Sequence, residues 1–189
     1  MKSHPGRAAR TLLLALAATV VLGSLPTGPA WSASAREIDI KVEAALERFH
    51  RQVSGANEFM AAAKGVLIFP DVIEAGFIFG GEYGEGVLRI GDRNVAYYST
   101  AGASVGFQAG AQSKVIMVVF MDAGALERFR DSRGWQVGVD GSVAIIELGV
   151  GGRIDSNNIR DPIVGFIFGN KGLMAGVSLE GSKFTRLDK

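Results

Sequence analysis

Apolar residues recur at every third or fourth position between residues 36 and 53, while charged residues occupy the remaining positions. This spacing predicts an amphipathic helix that ends at Ser54-Gly55. A second short helix is predicted from a cap at Asn57 through Ala63, where three alanines favour helix. The apolar face of the first helix consists of Ile38, Val42, Ala45, Leu46, Phe49 and Val53.

From Gly65 onward the pattern changes to short apolar or alternating runs separated by turn residues, which is typical of strands. The run at residues 114–121 is the most hydrophobic, so we expect it to be central in the sheet. Asp122 is a good N-cap for one further helix, through Arg130. The predicted strands are residues 65–69, 76–83, 87–90, 95–100, 103–110, 114–121, 135–139, 142–148, 163–168 and 173–179.

Glycine changes this picture, because the chain has 26 glycines in 189 residues, about twice the average usage of roughly 7%. Glycine in strands marks bulges, bends and close backbone approach. We therefore expect an α+β, β-dominated fold: a curved antiparallel sheet or partly closed barrel, with an N-terminal amphipathic helix and one or two short helices. The glycines of residues 80–86 lead into a strand-like run, so we interpret this stretch as a hairpin connection.

The N-terminus has the organisation of a secretory signal peptide. Lys2, Arg7 and Arg10 precede an uncharged apolar run at residues 11–23, and small residues at 33–35 suit cleavage after Ala35. We expect residues 1–35 to be the signal and 36–189 to form one domain; an uncleaved N-terminal anchor is the alternative. The protein is thus predicted to be exported, to the periplasm or outside the cell, and to lie there free or peripherally on a membrane.

Net charge and cysteine content argue against two classes of protein, nucleic-acid binders and lipoproteins. Removing three of the 20 basic residues and none of the 19 acidic ones leaves a net charge of −2, which does not fit a nucleic-acid binder. The chain has no cysteine, so it can form no disulfide and cannot be a lipoprotein anchored through cysteine.

The sequence contains few residues that would support a catalytic function. After residue 35 there is one histidine, His50, on the charged side of the first helix, and no Gly-x-Ser-x-Gly motif is present. One histidine without cysteine also argues against a transition-metal site. We expect a non-enzymatic protein with no metal and no cofactor, although a buried serine or aspartate beside a lysine in a deep cleft would favour a hydrolase.

With catalytic and metal sites disfavoured, a binding surface is the remaining kind of site. The first helix could contribute to it in one of two arrangements. Its apolar face either packs on the domain, which is the commoner arrangement, or lies in a membrane interface. Basic residues near predicted element ends could converge on a lipid phosphate, or they could simply be scattered and solvated. They are Lys64, Lys114, Lys171, Lys183 and Arg186.

Several strings together resemble the SYLF domain, also called the Ysc84 actin-binding domain. They are residues 64–70 (KGVLIFP), 75–86 (AGFIFGGEYGEG), 97–99 (YYS), 101–104 (AGAS), 106–112 (GFQAGAQ) and 170–181 (NKGLMAGVSLEG). The resemblance extends over nearly all of residues 36–189.

The resemblance implies lipid binding, and in some relatives actin binding, which we do not expect of an exported protein. Our function hypothesis is a cell-envelope protein that binds an anionic phospholipid or membrane surface. The alternative is a structural or interaction module that docks another envelope protein. We expect Lys64, Lys171 and Lys183 to contact the headgroup, and the acyl chains or membrane to contact Ile38, Val42, Leu46 and Phe49.

Overall fold

The N-terminal helix begins where a serine side chain can satisfy its first turn. In a computed structural model, the Ser34 hydroxyl accepts a hydrogen bond from the Glu37 backbone N–H at 3.2 Å, and helix α1 spans Ala35–Gln52. Helix α2 (Ala56–Ala62) follows a turn at Gly55, whose φ of 82° is a left-handed conformation that suits glycine. Asp122 caps helix α3 (Ala123–Asp131) by accepting from the Ala125 N–H at 2.8 Å.

The structure describes one compact unit within Ala33–Lys189. The described residues are 33–76, 79–105, 110–146, 154, 160–169, 172–173 and 178–189. The predicted signal before residue 33 lies outside them, so the predicted cleavage after Ala35 stays a prediction. Ala33 and Ser34, which that cleavage would remove, both make hydrogen bonds within the compact unit.

The strands form one curled sheet shaped as a half-barrel, so the predicted β-dominated fold is confirmed. The described strands are β1 (Gly65–Gly76), β2 (Phe79–Ile90), β3 (Arg93–Val105), β4 (Gly110–Phe120), β5 (Gly134–Gln136), β6 (Ala144–Ile145), β7 (Ile163–Gly169), β8 (Gly172–Leu173) and β9 (Lys183–Leu187). Their order in the sheet is β5-β9-β3-β2-β1-β4-β7-β6, with β8 paired to β7. Among these described strands, only β6 and β7 pair in parallel.

Each face of the sheet carries its own apolar core. On one face, α1 and α2 pack against strand residues such as Ile68 and Phe166. On the other face, Leu126 and Phe129 of α3 pack against strand residues that include Phe120. Strand β4 contributes alternate residues to both cores and lies between β1 and β7, which agrees with its predicted central place.

The glycine-rich stretch at residues 80–86 is the main correction to the predicted elements. It is no hairpin connection, because β2 runs through it without a break, and β1 likewise runs through Pro70. The β1–β2 pairing shifts register between Ile68 and Asp71, and Gly86 lies opposite this irregularity. A Cβ on Gly86 would lie 2.0 Å from the Ile68 carbonyl oxygen. Gly86 therefore permits close backbone approach rather than a turn.

The C-terminal part of the sheet also differs from the predicted pattern. Strand β9 was not predicted, yet it pairs with both β3 and β5. The strand predicted at residues 142–148 shortens to the two residues of β6, and residues 147–148 lie outside the described part. Of the strand predicted at residues 173–179, the described residues are 173, 178 and 179. Residue 173 belongs to strand β8, and residues 178 and 179 are not in a strand.

Candidate functional site

A groove lies between α1, α2 and the adjoining ends of β1 and β2. Its volume is about 690 Å³, which is in the range of small-molecule sites. The apolar part of its lining comes from both helices and from β1, because the Gly55 turn sets α2 beside the last turns of α1. The apolar lining residues are Leu46, Met60, Ala61, Ala63 and Val66, and the polar ones are Glu43, Glu47, His50, Arg51, Arg89 and Asp92.

The cations of the groove differ in how firmly they are held. Arg89 pairs with Glu43 through a short contact, and its side chain is only 19% exposed. Arg51 pairs with Glu47 at 3.5 Å, and both side chains are more than two-thirds exposed. An exposed pair of this kind is worth about 0.2–1 kcal/mol. Arg51 can therefore exchange its partner for a ligand anion at little cost, whereas Arg89 is fixed within the wall.

Three of the four α1 residues predicted to contact lipid are buried against the sheet. Ile38, Val42 and Phe49 are at most 2% exposed and belong to the core beneath the helix. The Phe49 ring meets the Phe166 ring edge-on, with centroids 5.0 Å apart. Leu46 is only partly buried, and it alone of the four lines the groove. Of the two interpretations of α1, the structure has the one in which the helix packs on the domain.

The predicted headgroup lysines do not share one rim. Lys64 is exposed and lies between Ala63 and Gly65, which both line the groove. Lys183 is also exposed but lies far along the sheet from Lys64. Across the strands β9, β3, β2 and β1, its register partners are Ala101, Tyr83 and Ile73 in turn, and Ile73 is nine residues beyond Lys64. At about 3.3 Å per residue this separates the two rows by roughly 30 Å. Lys171 lies outside the described residues.

Lys114 is buried instead of lying at the surface among the other basic residues. Its Nζ lies 2.7 Å from Glu82 Oε2 and 3.1 Å from Glu74 Oε2. Ser182 Oγ donates to Glu82 Oε1 at 3.1 Å. Burial lowers the pKa of Lys114, but the two carboxylates outweigh it and raise the pKa above its usual value. The amine therefore stays protonated at neutral pH, which suits a structural cation and not a general base.

Two further findings concern the described residues only. Histidine, aspartate and glutamate side chains there form no group of three or more that could hold a metal ion. Within the same ranges, no helix has both the length and the apolar character that a membrane span requires.

Sequence reasoning missed most of the groove. It interpreted His50 and Arg51 as part of a charged helix surface and assigned no role to Met60 or Arg89. One signal was present: residues that flank a tight helix–helix turn on either side, such as Arg51 and Met60, must lie near each other. No sequence pattern, however, places Arg89 on β2 against the same turn.

The chain is similar to known proteins over a large part of its length. Residues 101–189 match the family model Ysc84, described as a Las17-binding protein actin regulator. Over 146 residues the chain is 32% identical to an SH3 domain-containing protein of Schizosaccharomyces pombe. That alignment covers 70% of this chain but 33% of the yeast protein, so the chain spans about a third of that relative's length. The resemblance predicted from the sequence strings is confirmed, and the chain carries a Ysc84, or SYLF, domain, matched over residues 101–189.

Proposed function

We propose that this domain is a binding module of the cell envelope that holds an anionic amphiphile in the groove between α1, α2 and the sheet. The family supports a lipid- or actin-binding interaction module, and the predicted export signal favours the lipid. The observation that carries the proposal is the groove itself: an apolar lining from two helices beside an exchangeable arginine, Arg51.

The two parts of the ligand would interact by different physical terms. Acyl methylenes against Leu46 and Met60 would contribute about 0.8 kcal/mol each when they are fully buried. The headgroup would lie at the mouth near His50 and Arg51, with the exposed Lys64 on the adjoining segment. Charge-assisted hydrogen bonds there orient the head and add less to the affinity than apolar burial does.

A binding role also fits the buried charges better than catalysis does. Ser182 and Lys114 both contact Glu82, so a serine and a lysine lie near each other, as a catalytic serine–lysine pair would require. The raised pKa of Lys114 works against that use, because a general base must lose its proton near neutral pH. The hydroxyl of Ser182 is itself engaged as a donor to Glu82, and the residue is 4% exposed.

Vesicle flotation tests the proposal. Protein purified from cells that express the full chain is mixed with vesicles of phosphatidylcholine alone or with phosphatidylglycerol added. We expect flotation with the anionic vesicles, weakened by salt because the charges at the mouth are exposed. Leu46→Gln should reduce binding by roughly 10-fold or more, because a buried leucine is worth about 1.5–3 kcal/mol.

Ile40→Gln is the matched control, since Ile40 is on the same helix, is 63% exposed and does not line the groove. Circular dichroism melting of both variants separates lost binding from lost folding. Absence of flotation with either vesicle, or equal losses in the two variants, would remove the groove from consideration.

The second candidate, an interaction module that docks another envelope protein, has one observation in its favour. Ile73 and Tyr83 are register partners on neighbouring strands, and each is 52% exposed. Exposed apolar pairs of this kind occur at protein interfaces. A protein partner cross-linked in the envelope that is lost in the Ile73→Ser/Tyr83→Ser variant, with vesicle flotation unchanged, would favour this function over the first.

A further inference from the structure

Ala33, two residues before helix α1, is tied into the folded unit by its backbone and by its side chain. Its N–H donates to Glu85 Oε2 at 3.0 Å. Lys189 Nζ donates to the Ala33 carbonyl oxygen and lies 3.0 Å from the same Glu85 oxygen. The Ala33 side chain packs against the apolar core beneath α1. Ala33 is therefore held at once by strand β2, which carries Glu85, and by the residue that follows β9 by two positions.

The contact with Glu85 is largely shielded from solvent. The side chains of Glu85 and Lys189 are 8% and 10% exposed. The other oxygen of Glu85 accepts from the Tyr83 hydroxyl at 2.9 Å. A hydrogen bond from an N–H group to a carboxylate is stronger than one between neutral groups. Removal of Ala33 would thus take a donor from a carboxylate that has little access to water.

Ser34 starts helix α1. Its hydroxyl accepts from the Glu37 N–H at 3.2 Å, and its carbonyl oxygen accepts from the Ile38 N–H at 3.1 Å. A chain that begins at Arg36 loses both acceptors. It also places its α-ammonium group in the first turn of α1, where the helix dipole already contributes a partial positive charge. Ser34 therefore contributes to the folded domain in a way that the residues after it cannot replace.

The sequence allows several positions for removal of the signal. Endopeptidases of the export pathway require small residues at the first and third positions before the bond that they cut. Four bonds between residues 28 and 36 meet this requirement: Ala30–Trp31, Ser32–Ala33, Ser34–Ala35 and Ala35–Arg36. The first two bonds leave Ala33 and Ser34 in the exported chain, and the last two remove both residues.

We infer that the export endopeptidase cuts upstream of Ala33, at the Ala30–Trp31 or the Ser32–Ala33 bond, so that Ala33 and Ser34 stay in the exported domain. This position differs from the cleavage after Ala35 that the small residues by themselves led us to predict. It is the choice that keeps the contacts with Glu85 and Lys189 and the cap of α1. The Ala33 nitrogen remains a donor to Glu85 in both cases, as an amide after the first cut and as an ammonium group after the second.

The reaction is hydrolysis of one peptide bond. The hydroxyl of a water molecule goes to the carbonyl carbon of residue 30 or 32, and its remaining hydrogen goes to the leaving nitrogen. Proton transfer from the new carboxyl group to the new amine then leaves a carboxylate on the released signal and an α-ammonium group on the domain. An anchor that is never cleaved would also keep the contacts of Ala33, so the test must distinguish it.

The test is export of the full chain, with its own N-terminal segment, from a bacterium, followed by intact-mass measurement and N-terminal sequencing of the exported protein. We expect an N-terminus at Trp31 or at Ala33. Any other N-terminus would overturn the inference, including Ala35, Arg36 and the uncleaved Met1.

One substitution separates the upstream bonds from the downstream bonds. Ala30 is the residue directly before the first upstream bond and the third residue before the second, and it takes neither position at the downstream bonds. Ala30→Leu should therefore abolish the N-terminus found in the unsubstituted protein. Ala35→Leu is the matched control, because it blocks only the Ala35–Arg36 bond and should leave the N-terminus unchanged.

The opposite pattern, with normal processing of Ala30→Leu and loss of processing in Ala35→Leu, would contradict the inference. Both readouts are masses of precursor and product in pulse-labelled cells, so they do not depend on how stably either variant folds. Failure here leaves the proposed amphiphile groove untouched, because neither Ala33 nor Ser34 lines it and Leu46→Gln tests it independently.

Discussion

The substitution Lys114→Met removes the cation at the centre of the buried ion cluster. The Lys114 side chain is 7% exposed, and its partners Glu82 and Glu74 are 6% and 18% exposed. Methionine fills a similar volume but removes the ammonium group that lies against both carboxylates. Breaking a buried pair in this way costs about 3–5 kcal/mol. We expect the lower end of that range, because Glu74 keeps some contact with solvent.

Urea unfolding followed by circular dichroism measures this loss, and a second substitution isolates its cause. Adding Glu82→Gln to Lys114→Met removes one of the stranded charges, so the double variant should be more stable than Lys114→Met alone. We expect a coupling energy of about 2 kcal/mol between the two sites. Lys41→Met is the control, because Lys41 pairs with Glu37 at 3.2 Å but is 44% exposed, and should cost about 1 kcal/mol or less.

The pH dependence of the free energy of unfolding tests the same cluster independently. Burial lowers the pKa of Lys114, but Glu82 and Glu74 together raise it above the unfolded value of about 10.4. Its stabilising contribution is therefore complete below about pH 10.4 and is lost as the pH rises through the higher folded pKa. Lys114→Met should lack this alkaline loss. A cost below about 1 kcal/mol, or one equal to that of Lys41→Met, would refute the reasoning.

A truncation and a substitution test the N-terminal cap and the close approach at Gly86 of β2. A chain that starts at Arg36 lacks the cap of Ser34 and the Ala33 N–H that donates to Glu85 at 3.0 Å. Its free energy of unfolding should therefore be about 1–2 kcal/mol lower than that of a chain that starts at Ala33. Equal urea midpoints for the two chains would contradict this. Gly86→Ala would set a Cβ 2.0 Å from the Ile68 carbonyl oxygen and should cost about 3 kcal/mol or more. Gly81→Ala is its control, with the nearest atom 3.8 Å away, and similar thermal unfolding of the two variants would show that close approach does not explain the glycines.

The sequence predicted best those elements whose signals are local. Helix α1 was expected at residues 36–53 and spans Ala35–Gln52, because its apolar period and the Ser54-Gly55 end signal both lie within one segment. Residues 80–86 were misassigned as a hairpin connection, since the close approach that requires Gly86 arises from the register shift of β1 on the neighbouring strand. No local pattern reports on an irregularity in another strand.

The sites depend even more on distant parts of the chain. Lys189 reaches Glu85 because β9 pairs with β3, and β9 was not predicted. Lys114 begins an apolar run, which gave no sign that Glu74 and Glu82 would face it from two other positions of the sheet. Leu46, in contrast, was identified correctly as part of the apolar face of α1, although its three companions serve the core.

Native mass spectrometry of the protein purified gently from its own cells tests the proposed amphiphile site most directly. The account predicts a population that carries a co-purified lipid, released on mild collisional activation and strongly reduced by Leu46→Gln but not by Ile40→Gln. A protein that emerges only at the mass of the bare chain, with phosphatidylglycerol added as well as without it, would contradict the proposal that the groove between α1, α2 and the sheet holds an amphiphile.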